Sequence, residues 1–443
     1  MTPSRHYIEA AALRTPEMHL IADEAGGHLF VAQGSRLYDV DASLFARLER
    51  AIQAGDAGEL LDEVGLGGAD FVDNAPLSPP SIRALSLAVA QKCNLGCVYC
   101  YAQGGAFGGA QKNMPLEVAL AAVDLLIDVS SPGGRINLAF LGGEPLVNRA
   151  VLQAATRRAA VMARRRGIAI GFSITTNGTL ISEADGDFFE EFGFAVTVSL
   201  DGPRDLHDRL RPNKGGRGSF ERIMRNLRPL LGRQRRMQVS ARVTVTPHNL
   251  ALRQTLDDFI AEGFHSVGFS PMLSAPRGRA EMQVGDLEIM LVQMIDCGHE
   301  FECRLVAGER YPYANMVNAL REIHRGTHRP YPCGAAAGYL GVSAEGDLAA
   351  CHRFVGDPEG AMGSLATGVA QDRRAAWLAE RHVHRQEPCN ACWARYLCGG
   401  GCHHETIHRG RPACDYIRGW LHYCLEAYLR LSRQCPDWFG AGG

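Results

Sequence analysis

The sequence predicts an α/β protein built on a parallel sheet: a partial barrel of six βα units, flanked by a smaller region at each end. Three observations predict it. From Ser81 to about Leu273, strand signals at 84–91, 136–141, 168–175, 194–200, 237–245 and 265–271 alternate with helical stretches such as Leu116–Asp128, Arg149–Arg166, Gly218–Leu231 and Leu250–Glu262. Six such units are too few to close an eight-stranded barrel. The segments after the early strands are rich in cysteine, glycine and polar residues, and parallel β/α folds place their chemistry at the C-terminal strand ends. Most of the other cysteines stand after residue 330, which marks a second metal-binding region.

Composition narrows the function classes. The 443 residues suffice for two or three domains, and 46% hydrophobic with 21% charged residues is an ordinary globular balance. A net charge of −2 makes no case for nucleic acid or a membrane surface as partner. The opening Met1-Thr-Pro-Ser-Arg-His-Tyr-Ile-Glu9 lacks the apolar core of a signal peptide, and no stretch is apolar for long enough to span a bilayer. The expectation is a cytoplasmic protein whose 14 cysteines serve as metal ligands or catalysts.

Residues 1–75 read as a unit of their own. His28–Val40 forms a hairpin around Gln33-Gly34-Ser35, and Asp41-Ala-Ser43 starts a helix with Leu44, Phe45, Leu48 and Ile52 on one face. Asn74-Ala-Pro-Leu-Ser-Pro-Pro-Ser81 is a proline-rich linker. The barrel follows over 81–283, and bridging helices (about 284–326) with a cysteine-rich domain fill 284–443.

The first barrel strand runs into Cys93-Asn-Leu-Gly-Cys97-Val-Tyr-Cys100. Thiols spaced C-x3-C-x2-C can hold three corners of a [4Fe-4S] cube, leaving one iron open to a chelating molecule. Gly96 lets the backbone wrap closely around a cluster, and Tyr99 stands before the last cysteine. A structural zinc loop completed from elsewhere is the competing reading. The second strand ends in Leu141-Gly-Gly-Glu-Pro-Leu146 and the third in Ser173-Ile-Thr-Thr-Asn-Gly178. The fourth ends in Ser199-Leu-Asp-Gly202, followed by His207-Asp208 and Arg211. In this order, each after an expected strand, these segments resemble the radical S-adenosylmethionine (SAM) enzymes.

That resemblance assigns roles. Cys93, Cys97 and Cys100 would ligate the SAM-binding cluster, and Tyr99 would line the cofactor site. Gly142, Gly143 and Glu144 would hold the amino group of SAM; Ser173, Thr175 and Asn177 would face its ribose. Ser199 and Arg211 would bind its carboxylate, a guanidinium doing so through two parallel hydrogen bonds. Asp201 is a candidate proton acceptor near the substrate.

Beyond residue 330 stand Cys333, a hairpin from Tyr339 to Cys351 turning at Glu345-Gly346, then Cys389, Cys392, Cys398, Cys402, Cys414 and Cys424. This spacing resembles the SPASM domain with its auxiliary [4Fe-4S] clusters, zinc ribbons being the alternative. The resemblance gives Cys333, Cys351 and Cys402 to a nearer cluster. Cys389, Cys392, Cys398 and a late cysteine (Cys414, with Cys424 as the alternative) go to an outer one, making three clusters in all. Relatives often supply a fourth ligand just after the residue matching Cys333, but Gly334-Ala-Ala-Ala-Gly-Tyr339 offers no thiol. The nearer cluster then keeps an open iron or takes a ligand such as Cys303. No role is read for Cys297 or Cys435.

Sulfatase-maturing relatives carry an aspartate, proposed as a base, after the residue matching Cys351. Here the residue is His352, a candidate proton acceptor or a structural donor. The Cys351-His-Arg-Phe-Val-Gly and Tyr396-Leu-Cys-Gly-Gly-Gly-Cys402 segments look like the peptide-modifying branch, especially maturases of quinohemoprotein amine dehydrogenase. Those join cysteine sulfur to the methylene carbons of Asp and Glu by radical hydrogen abstraction. The implied partners are a peptide or small protein, its leader segment adding to the sheet edge of the winged-helix-like N-terminal unit, and a flavodoxin or ferredoxin as electron donor. Other cross-links (carbon–carbon or carbon–oxygen), sulfatase-type oxidation of cysteine or serine, and a non-enzymatic electron carrier are the alternatives.

Overall fold

The computed structural model describes residues 3–12, 14–67, 75–276 and 278–440. Asn74, the first residue of the expected linker, lies outside them, as do Met1 and Thr2. The chain divides into two compact units: 1–76 with 283–333 and 379–443, and 77–282 with 334–378.

The first unit begins with an antiparallel sheet of β1 (Met18–Asp23), β2 (Gly26–Val31) and β3 (Arg36–Val40), in that order. The expected hairpin is β2–β3; β1, which pairs along all of β2, was not read. Asp41 starts the helix Ala42–Ala54 by accepting the Leu44 N–H at 2.8 Å. Its apolar stripe packs Leu48 against Met18, Leu29, Val31 and Leu61. The bridging region is two helices, Val284–Val306 and Ala314–His324, which pack on the long helix Cys414–Gln434. Trp393 ties the N-terminal segment into this unit, donating to the Ala11 carbonyl at 3.2 Å and stacking on His19 at 4.0 Å. The first 75 residues therefore pack as part of a larger body that includes the C-terminal helices.

The second unit carries one large sheet. Its parallel strands are β4 (Ala84–Gln91), β6 (Arg135–Gly142), β7 (Ala169–Thr176), β8 (Ala195–Ser199), β9 (Gln238–Val245) and β10 (Val267–Pro271), each beside its sequence neighbour; the short β5 (Lys112–Asn113) caps β4. This is the expected parallel α/β sheet, with its six strands in sequence order. The expected hairpin is β11 (Tyr339–Val342) and β12 (Asp347–Ala349), followed by β13 (Ala361–Ser364) and β14 (Gly368–Val369). β11 pairs in parallel with β4, so this hairpin extends the barrel sheet, and 334–378 packs with the barrel rather than with the helices after 379. Leu340 and Val342 are fully buried, and that apolar pair explains why the hairpin closes the edge of β4.

Alternation sorts the sheet into two faces. Leu138, Phe140, Ile174, Val196, Val198, Ala241 and Val243 are buried on one face. The residues between them, Ser173, Thr175, Thr197, Ser199, Ser240 and Thr244, form a row of hydroxyls that is half-buried to exposed.

Candidate functional site

The loop from Cys93 to Cys100 is held by the segment that follows Asp208. The Gly96 N–H donates to the Pro212 carbonyl at 2.8 Å, Val98 to Leu210 at 3.1 Å, and Lys214 to Asn94 at 3.2 Å. Gly96 itself is exposed, and an added Cβ would meet only ordinary contacts, so protein packing does not require this glycine. The sulfurs face donors. Cys93 Sγ receives the Leu95 N–H at 3.4 Å and Asn177 Nδ2 at 3.6 Å, while Arg211 reaches Cys97 Sγ at 3.9 Å. Burial raises the Cys93 thiol pKa and pushes that of Cys97 up to about 12. Buried thiols ringed by donors and a guanidinium suit thiolates whose charge a metal shares, and such outer hydrogen bonds tune iron–sulfur sites. The donor set fits a cluster held by three corners.

The glycines of the Gly142-Gly143-Glu144 segment serve the loop itself. A Cβ on Gly142 would lie 2.2 Å from the Ala90 carbonyl oxygen; one on Gly143 would lie 2.4 Å from that of Lys92 and 2.7 Å from Gly105 Cα. The end of β6 thus sits directly on the backbone entering the cysteine loop, and that packing alone requires both glycines. Glu144 is fully buried. Its carboxylate accepts from Thr176 Oγ1 at 2.7 Å, Asn177 N at 2.7 Å and Leu146 N at 3.1 Å. Burial raises its pKa to about 7. It clamps the end of β6 to the end of β7.

Asn177 is also committed. Its amide donates to Cys93 Sγ and to Asn94 Oδ1 at 3.0 Å, and its oxygen accepts from Thr179. It shapes the cysteine loop. Ser173 (half-buried) and Thr175 (exposed) do line the open face.

After β8, Asp201 and Arg211 form a buried pair at 2.9 Å. Asp201 is wholly sealed and also accepts from the Tyr99 hydroxyl and, at 3.2 Å, from Thr244 N. Both its oxygens are engaged, and the carboxylate positions Arg211. Tyr99 is buried beneath the guanidinium, 5.2 Å from ring centre to Arg211 Cζ. Behind the pair, the Asp201 N–H donates to His207 Nδ1 at 3.3 Å, so Nε2 carries the ring proton toward Ser219 Oγ at 3.0 Å. Ser219 in turn donates to the Arg211 carbonyl at 2.6 Å. This chain explains the spacing of Asp201, His207 and Arg211, while Ser199 lies outside it, half-buried on the open face.

His352 contacts the Tyr339 hydroxyl at 2.9 Å through Nδ1, and Tyr339 contacts Ser86 Oγ at 2.6 Å. Of its two readings the geometry favours the structural donor, because this relay pins the hairpin to β4. Desolvation and then Arg353 lower its pKa to about 4.

In the other unit, the Cys389 thiol feels the charges of Cys392, Cys398 and Cys414, and Cys398 and Cys414 each feel that of Cys392. Burial raises Cys389 to about 11, with the Arg411 guanidinium opposing it. Gly399, Gly400 and Gly401 all have positive φ, turning their backbone N–H groups so that those of Gly400 and Gly401 reach Cys398. These four thiols fit an outer cluster. Cys424 does not join them: it is fully buried in the helix Cys414–Gln434, among Tyr313, Tyr416 and Tyr423. Of the two late cysteines, Cys414 is the one that stands with the other three thiols. Cys333 and Cys402 belong to this unit and Cys351 to the barrel unit.

Sequence reasoning missed Asn94, Thr176, Thr244 and Ser219, which hold the site together, and Arg242 on the open face. The signal for Arg242 was present: Ser240, Arg242 and Thr244 alternate with buried Val239, Ala241 and Val243 in one strand.

Three thiols with a donor shell stand after the first parallel strand, and a buried arginine after the fourth. Residues 87–259 match the family model described as the Radical SAM superfamily. The chain is 27% identical over 364 residues to the serine-type anaerobic sulfatase-maturating enzyme of Klebsiella aerogenes, spanning 77% of this chain and 85% of that protein. The structure of anSMEcpe with bound AdoMet is similar with a TM-score of 0.65 at 19% identity, over 79% of this chain and 99% of that one. Streptococcus suis SuiB bound to precursor peptide SuiA is similar with a TM-score of 0.54 at 13% identity, over 90% and 97%. Among the described residues no helix is long and apolar enough to cross a membrane.

Proposed function

We propose that the protein is a radical SAM enzyme that modifies a peptide or small protein, joining a cysteine sulfur to the methylene carbon of an Asp or Glu side chain. The observation that carries the radical chemistry is the pairing of a three-thiol loop with the buried Arg211 held against Cys97. When bound, SAM and the cluster supply a radical that takes hydrogen from an unactivated carbon.

The chain's own residues do the rest. Cys93, Cys97 and Cys100 hold the cluster with one corner open. Arg211, fixed by Asp201, presents its fork to the SAM carboxylate beside Ser199, and Ser173 and Thr175 face the ribose. Cys389, Cys392, Cys398 and Cys414 hold a second cluster that accepts the spare electron. The edge of the β1–β3 sheet takes the substrate's leader, a flavodoxin or ferredoxin supplies electrons, and the reaction belongs to the cytoplasm. Similarity to SuiB, solved with its precursor peptide, supports a peptide substrate.

Oxidation of a serine or cysteine is the second reading, favoured by similarity to the sulfatase-maturating enzyme. The relay that occupies His352 speaks for the first. Anaerobic reconstitution tests both. About twelve irons per chain, and 5′-deoxyadenosine formed after dithionite and SAM are added, are expected. On a peptide substrate, loss of two hydrogens together with a thiol closed to alkylation supports the thioether. An aldehyde captured by a hydrazide supports oxidation instead.

A further inference from the structure

Resting on that reading, we propose that Asn249 is a positioning residue for cofactor binding. Its side-chain amide ties the end of β8 to the end of β9 and so sets the Asp201–Arg211 pair that meets the SAM carboxylate. Asn249 stands in the turn that leaves β9 and is only 2% exposed. Its Nδ2 donates to the Asp201 carbonyl at 3.0 Å and to the Thr244 carbonyl at 2.8 Å. Its Oδ1 accepts from the Thr246 N–H at 2.6 Å and from Thr246 Oγ1 at 2.7 Å. A primary amide offers two N–H groups and two lone pairs, and here all are used. Turned over, the amide would set its oxygen against two carbonyls, so its orientation is fixed.

The sheet explains why a side chain does this. The ladder between β8 and β9 has its last pair at Ser199 and Arg242. Asp201 and Thr244 lie past that pair, so regular strand pairing does not set their spacing. Two contacts do. The Thr244 N–H donates to Asp201 Oδ1 at 3.2 Å, and the Asn249 amide bridges the two carbonyls. The same two residues hold the guanidinium: Arg211 Nε donates to Asp201 Oδ2 at 2.9 Å, and Nη2 reaches Thr244 Oγ1 at 3.4 Å. Asp201 and Thr244 thus form a two-point seat for Arg211, and Asn249 fixes the distance between the points. A seat of the wrong width turns the fork, and a planar carboxylate gripped through two parallel hydrogen bonds is sensitive to that turn. Buried and with its whole amide engaged, Asn249 has nothing left to offer a ligand. Its effect on the cofactor passes through Arg211.

The test uses reconstituted holoenzyme in its oxidised state, so that SAM binds without being cleaved. Equilibrium dialysis of labelled SAM reads affinity, with proteins compared at equal iron content. Asn249→Asp keeps the shape and the acceptor contacts to Thr246 but loses both donors. It is expected to weaken SAM binding about tenfold. Thr246→Val, which removes the hydroxyl that orients the amide, is expected to weaken it by a smaller factor, and it carries the test if Asn249→Asp does not fold. Each change is then repeated in an Arg211→Lys background, which leaves Asp201 paired but has no fork. There each is expected to weaken SAM binding less than about twofold, because the group they position is gone. Equal losses in the two backgrounds would mean that Asn249 acts on the fold at large, and would overturn the assignment. Unchanged SAM affinity in both single variants would overturn it too. If Arg211→Lys itself leaves SAM affinity unchanged, the carboxylate role of Arg211 falls and takes the role of Asn249 with it. Weak binding by Arg211→Lys without this coupling rejects only the assignment.

Discussion

The two thiol sites use cysteine in opposite ways. The loop after β4 supplies three sulfurs and takes its outer shell from distant segments: Asn177 from the end of β7 and Arg211 from beyond β8. The nest of Cys389, Cys392, Cys398 and Cys414 supplies four, and much of its shell is local, from the Gly400 and Gly401 amides and Arg411. A three-cornered site wired to strand ends leaves a position for a reacting molecule and couples it to the sheet's open face. On the proposed reading, four thiols with a local shell complete a cluster on their own, which suits electron transfer.

Cysteine substitutions break this comparison most sharply. Cys97→Ala should abolish 5′-deoxyadenosine formation and remove about four irons per chain, while leaving the second unit's iron in place. Cys414→Ala should remove a similar amount of iron yet leave SAM cleavage measurable, with coupled product lost. Cys424→Ala should leave iron content unchanged. Iron analysis and chromatography of the nucleoside distinguish all three, and loss of iron in Cys424→Ala would undo the ligand assignment.

The next largest effect concerns the pair that links Cys97 to the strand ends. Asp201→Asn leaves Arg211 buried without its counter-charge, and breaking a buried pair on one side costs about 3–5 kcal/mol. Chemical denaturation should show that loss, and equilibrium dialysis should show weaker SAM binding. A variant as stable as the parent would mean that Asp201 does not anchor Arg211. Gly143→Ala asks a smaller question of the same loop. Its methyl would enter between the Lys92 backbone and Gly105, and overpacking of this kind costs about 1–3 kcal/mol. The expected readout is a lower thermal midpoint with reduced iron loading at the first site only.

Much of this site was legible because its parts are local in sequence. The six strands, the three-cysteine loop and the order of the glycine and polar segments follow from period-two patterning and residue chemistry. What could not be read is what those polar residues touch. Glu144 and Asn177 read as cofactor ligands, and the sequence does not show that their hydrogen bonds also close on Thr176, Asn94 and Cys93. Sequence places them at the right strand ends but does not say whether a carboxylate faces a ligand or a neighbouring turn. The pairing of β11 with β4 was hidden for a different reason. It joins residues about 250 positions apart, and only the buried Leu340 and Val342 hint at it. Cys414 and Cys424 were indistinguishable as thiols; the aromatic surroundings of Cys424 separate them.

The smallest predicted effect tests the chain that supports Arg211 from behind. His207 is buried with Nδ1 accepting from Asp201 N, an arrangement that requires a neutral ring, and burial lowers its pKa to about 4. Its unfolded value is about 6.5, so between pH 6.5 and 4 the unfolded chain binds the extra proton and the folded one does not. Stability from this group is complete above pH 6.5 and falls as the pH drops, by about 1 kcal/mol at pH 5.5 and levelling off at a loss of about 3 kcal/mol below pH 4. His207→Gln preserves both contacts, an oxygen for the Asp201 N–H and an amide for Ser219, without a titrating ring. Every other histidine titrates equally in the two proteins, so the difference between their denaturation free energies from pH 7 to 4.5 isolates His207. The parent should lose stability faster than the variant on acidification. Parallel curves would mean that the ring takes up its proton while folded, and the relay from Asp201 to the Arg211 carbonyl would need a charged histidine at its centre.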